Sequence, residues 1–162
     1  MKNSSGKVAY IGLLTALAMI LSYVELLIPP VFIGFPGVKL GLPNVIIIYI
    51  LYKIGFKAAF CVSIIRVVTV GMLFGNAVTL AYSLSGAIIS ILIMYFMKKA
   101  NLFSCVGVSV CGSVLHNLAQ IFVAMLLVKT VLIGYYMILL LFSGTIFGII
   151  IGVLSSLLIK RF

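Results

Sequence analysis

Glu25 is the only acidic side chain among 162 residues, and the chain has no aspartate. Charged residues make up 7% of the chain and apolar ones 65%. A soluble domain is roughly one quarter charged. A chain this poor in charge cannot cover a globular surface with groups that water accepts, so most of its solvent must be lipid. The length suits one domain, and no linker, charged tail or internal repeat divides it. The expectation is a single integral membrane domain over residues 1–162, all-α, crossing the bilayer about six times.

Crossing the hydrocarbon as a helix takes about 20 residues. Apolar runs bounded by charges, glycines and prolines predict helices over 8–28, 43–54, 57–75, 77–97, 104–128 and 133–159. The first run is too long for the apolar core of a signal peptide and has no clear small-residue cleavage site. The second is too short to cross alone at full thickness. The stretch before it, 29–43, holds all four prolines and stays apolar. Irregular backbone at membrane depth survives only when sheathed in protein or lining a cavity. This stretch is therefore expected to be an outer or re-entrant loop after helix 1, with Pro43 starting the next helix.

The net charge of +10 does not indicate nucleic acid, because the basic residues punctuate the apolar runs singly or in pairs. That is the pattern of charges that orient membrane spans. With six spans and a cytoplasmic N-terminus, Lys2, Lys7, Lys53, Lys57, Lys98, Lys99, Lys160 and Arg161 all lie inside. Only Lys39 and Lys129 lie outside, and Arg66 falls within a span. Both termini are thus expected in the cytoplasm of a multi-pass protein of the cell membrane. The three cysteines, Cys61, Cys105 and Cys111, sit in apolar runs without a CxxC and read as small packing residues.

Polar residues inside the membrane are expensive and mark function by default. An arginine near the middle of a helix, as Arg66 is, costs roughly 2.5–3.5 kcal/mol on insertion scales. Under the assumed orientation Glu25, Asn76 and Gln120 fall in the outer half, and Arg66 and His116 near the midplane. His116 and Gln120 are spaced to share a helix face, as are Asn117 and Gln120. Together with Asn44 and Lys39 they suggest a polar pocket opening outward beneath the Pro/Gly loop. The bland alternative is that Arg66 pairs with Glu25 to pin two helices and that His116-Asn117 is interhelical glue. If the pocket binds a ligand, its charges favour an anionic or phosphorylated one. Small residues form two further faces, Gly12 with Ala16, and Gly144, Gly148 and Gly152. Such faces let helices approach closely, within the chain or with a partner.

Lys39-Leu40-Gly41-Leu42-Pro43-Asn44, Ile64-Ile65-Arg66-Val67 and His116-Asn117-Leu118-Ala119-Gln120 resemble motifs of a family with two names, heptaprenyl diphosphate synthase component I and Gx transporter. Pro43 stands where the family has alanine and Ala119 where it has glycine, and the polar positions are intact. The resemblance runs from about Leu13 to Lys160. That family looks like the substrate-binding S components of energy-coupling-factor (ECF) transporters. The likeness implies six helices, a small micronutrient bound from outside, and docking through small residues of helix 1 to a T protein with two ATPases. Gly12 and Ala16 match that docking position.

The expected function is therefore a transporter subunit that captures a small anionic or phosphorylated micronutrient, or an isoprenoid- or quinone-related compound. The alternatives are a non-catalytic membrane subunit beside a soluble prenyltransferase and a subunit of quinone- or flavin-linked electron transfer. A catalytic role is not expected. A magnesium diphosphate site needs several carboxylate oxygens, and this chain has one carboxylate side chain. It has no phosphate-cradling Walker sequence, no aspartate for a Ser/His/Asp triad and no CxxCH haem signature. No metal or cofactor is expected.

The orientation is checked by labelling single cysteines in a cysteine-free background. Lys99→Cys should react only with reagent reaching the cytoplasmic side, and Lys129→Cys only from outside.

Overall fold

A computed structural model describes residues 4–28, 40–129 and 134–162. The expected Pro/Gly-rich outer or re-entrant loop lies largely outside the described residues, as do Lys39 and Lys2. The described residues form six helices and no strand: α1 (Ser4–Leu27), α2 (Asn44–Lys53), α3 (Phe56–Phe74), α4 (Ala77–Ala100), α5 (Cys105–Val128) and α6 (Tyr136–Arg161). All but α2 are long and apolar enough to cross a membrane. In lipid a helix satisfies its backbone within itself, which is why continuous apolar runs fold this way. The protein is an all-α, multi-pass membrane protein, and large apolar side chains such as Leu13, Phe96, Phe122 and Phe142 cover its outside.

The boundaries shift slightly from expectation, and for local reasons. α4 runs on through Lys98 and Lys99 to Ala100, because lysine is a good helix former and its head can reach polar groups at the membrane edge. It stops at Asn101, which takes the left-handed conformation that asparagine tolerates. At its start Asn76 and Thr79 form a reciprocal capping box, with Thr79 N–H donating to Asn76 Oδ1 at 2.8 Å. Pro43 sits one residue before α2, at its N-cap, and Asn44 opens the helix. The turn into it needs Gly41, whose φ of +77° is a conformation that other side chains rarely adopt.

The central element is the short one. α2 has 10 residues, about 15 Å of rise against roughly 30 Å of hydrocarbon. Val45 to Leu51 are all buried, and α2 packs against α6, α3 and α1. Its C-terminal carbonyls are met by α4, since Lys98 Nζ donates to Leu51 O at 2.8 Å and lies 4.9 Å over the Tyr52 ring. Around this core α5 packs on α4 and α6, while α3 packs on α4 and α1. Of the five long helices α1 is the least buried.

The two small-residue faces have different surroundings. A Cβ added at Gly148 would lie 2.8 Å from Val110 Cα, and one at Gly152 2.7 Å from Val106 Cα. The α6 glycines therefore bring the α5 backbone close. Gly12 has nothing within 4 Å of such a Cβ, and both it and Ala16 are exposed. Gly148→Val should accordingly destabilise the fold by about 1–3 kcal/mol through overpacking. Gly12→Ala should be neutral or slightly stabilising, as alanine is the better helix former. Thermal unfolding of the two variants in one detergent compares them directly.

Candidate functional site

A cavity of about 200 Å³ lies where α1 and α3 end and α2 and α4 begin. A single water needs roughly 10–15 Å³ by the same measure, so the space suits a small molecule. Every helix contributes to its wall: Glu25 from α1, Asn44 from α2, Arg66 from α3, Ser83 from α4, His116 and Gln120 from α5, and Phe147 from α6. Six of the eight polar residues expected at a pocket thus converge on one cavity, namely Glu25, Asn44, Arg66, His116, Asn117 and Gln120. Lys39 is outside the described residues. Asn76 does not line the cavity; it caps α4, beside the lining residues Gly75 and Thr79.

The α1 side of the cavity is a wall of anchored charge. Gly41 N–H donates to Glu25 Oε1 at 2.5 Å, which ties the end of α1 to the turn before α2. Arg66 Nη1 donates to Ser22 Oγ at 3.3 Å, one turn back along α1, and Ser22 in turn donates to Ala18 O. Arg66 therefore does link α3 to α1, and it does so at the cavity wall. Among the described residues, Arg66 Nε is buried without a hydrogen-bond partner.

α5 also lines the cavity, and its residues divide into two roles. Asn117 Nδ2 donates to Leu140 O at 2.7 Å, tying α5 to α6 in the space left by Gly144. His116 and Gln120 lie across α4 at Gly86, where a Cβ would come within 2.8 Å of Gln120 Cγ and 3.0 Å of His116 Nε2. Gly86 thus lets both side chains lie close against α4. A lone mid-helix glycine in the run Ser85-Gly86-Ala87 is the only trace of this in the sequence. Ser22, Ser83 and Ser113 were likewise not anticipated, since serine at one position of an apolar helix looks like ordinary packing. Gln120 Nε2, like Arg66 Nε, is buried and lacks a hydrogen-bond partner among the described residues. Among the described residues no group of three or more His, Cys, Asp or Glu is placed to hold a metal ion.

Asn76 and Glu25 should separate in their effects. Asn76→Ala removes a cap and should cost about 1 kcal/mol, with the cavity unchanged. Glu25→Gln removes a charged acceptor and should cost about 1.5–3 kcal/mol. It should also raise hydrogen exchange at the Gly41 amide, which Asn76→Ala leaves alone. Unfolding midpoints and amide exchange measure both.

Comparison with known proteins gives one match. The family model described as heptaprenyl diphosphate synthase component I matches residues 14–158. No curated protein and no solved structure matches the chain. The matched stretch begins on α1, ends on α6 and contains every polar residue of the cavity wall. The chain belongs to the heptaprenyl diphosphate synthase component I family.

Proposed function

We propose that this membrane subunit captures a small anionic or phosphorylated compound from outside the cell for uptake, in the manner of an ECF S component. The observation that carries the reading is the polar cavity, with Arg66 halfway along a membrane-spanning helix at its wall. An arginine at that depth is costly, and such residues mark substrate pathways by default. The apolar share of the lining, including Phe74 and Phe147, suits a ligand with a hydrophobic body, such as a micronutrient or an isoprenoid- or quinone-related compound.

The cavity lies at the end of the bundle away from Lys53, Lys57, Lys98 and Lys99. By the positive-inside rule those lysines face the cytoplasm of the cell membrane and the cavity faces outward. Uptake needs an energy source, and the chain has no nucleotide-binding sequence of its own. In this reading the exposed face of Gly12 and Ala16 on α1 would dock a T protein with two ATPases.

The family description favours one second reading, a non-catalytic subunit associated with a soluble prenyltransferase. Quinone- or flavin-linked electron transfer has no comparable support. With no aspartate and one glutamate, the chain has too few carboxylates for the magnesium diphosphate chemistry itself.

The test is native mass spectrometry of the gently purified protein, followed by denaturing extraction. A stoichiometric small molecule, retained by wild type and lost in Arg66→Ala and His116→Ala, is the expected result. An empty protein that co-purifies with a soluble prenyltransferase, and with no ATPase, would transfer the assignment to the second reading.

A further inference from the structure

We propose that Arg66 and Gln120 are the two arms of a clamp for one oxyanion, a carboxylate or phosphate group of the ligand, which bridges α3 to α5. The inference rests on reading the cavity as a ligand site, and it names the atoms that recognise the ligand.

Three buried side-chain polar atoms lack a hydrogen-bond partner among the described residues: Arg66 Nε, Gln120 Nε2 and Ser109 Oγ. Ser109 lies at the close contact between α5 and Gly152 of α6, away from the cavity. The other two residues line the same cavity from different helices. Both orphan atoms are N–H donors. Buried donors are nearly always paired, and an unpaired one needs an explanation. Two in one cavity call for a shared acceptor with several lone pairs, which is what an oxyanion offers.

The remaining polar groups support this division of roles. Arg66 Nη1 is held by Ser22 Oγ, which fixes the guanidinium from the α1 side. Asn117 uses its amide N–H on Leu140 O. Gln120, held against α4 at Gly86, is the remaining amide donor on α5. α3 and α5 each pack against α4, so an oxyanion between Arg66 and Gln120 braces helices otherwise joined through a third.

The test uses the full chain in lipid nanodiscs at constant ionic strength. Sodium acetate and inorganic phosphate are titrated against sodium chloride, with the unfolding midpoint and amide hydrogen exchange as readouts. The expected result is a saturable rise in midpoint with acetate or phosphate beyond that with chloride. Protection should increase around Arg66 and Gln120 together. Acetate alone acting would assign a carboxylate, phosphate alone a phosphorylated ligand. Arg66→Lys keeps the charge but lacks Nε–H, and Gln120→Glu keeps the shape but lacks the amide donor. Each should weaken the response about tenfold or more. The clamp is overturned if neither anion exceeds chloride, or if Arg66→Lys and Gln120→Glu respond as wild type. Hydrogen exchange on the wild type decides the matter even if a variant does not fold. A retained native ligand without any oxyanion group would overturn the clamp and the anionic character of the ligand, and leave standing only the capture of a small molecule. Failure of the capture reading shows separately, as a protein empty in the native mass spectrum.

Discussion

A helix of 10 residues reaches about half-way across a bilayer, so α2 can exist only where protein surrounds it. Backbone that ends inside the hydrocarbon must find its hydrogen bonds within the molecule. Both ends of α2 are met by charged side chains from other helices. Glu25 of α1 accepts from the turn at its N-terminal end, and Lys98 of α4 donates to its last carbonyls. A carboxylate at the positive end and an ammonium at the negative end also match the helix dipole. The only acidic side chain in the protein is committed to this position.

The cavity follows from the same shortness. Beyond the start of α2, residues of α1, α3, α4, α5 and α6 line the cavity. Arg66 and His116 project there, where polar neighbours exist, and not into lipid. On one side the mid-span arginine donates to Ser22 of α1. Its Nε is left as a donor without a partner among the described residues. The fold and the cavity wall therefore share residues, with Ser22 of α1 holding the Arg66 guanidinium at that wall.

The helices and the convergence of polar residues were legible in the sequence because hydropathy reports depth. An interruption of an apolar run by Arg66 or by His116-Asn117 stands out against its background. Depth is not facing, however, and there the sequence ran out. Asn76 lies at the right level but caps α4, a role that a polar residue beside a glycine could equally have suggested. Asn117 has the same spacing logic as Gln120, yet its amide nitrogen is taken by Leu140 O. Gly86 and Ser22 shape the site through what they lack or through a single hydroxyl, and small residues leave almost no mark on a hydropathy profile.

The two small-residue faces make the same point about packing. Lipid tails are as apolar as leucine, so apolarity alone does not decide which face of a helix meets protein. Gly144, Gly148 and Gly152 draw α6 onto α5, whereas Gly12 and Ala16 face outward on the helix with the least burial. That helix is also the one whose other face carries Ser22 and Glu25. A partner gripping the outer face of α1 would therefore bear on the element that positions Arg66 and the turn before α2.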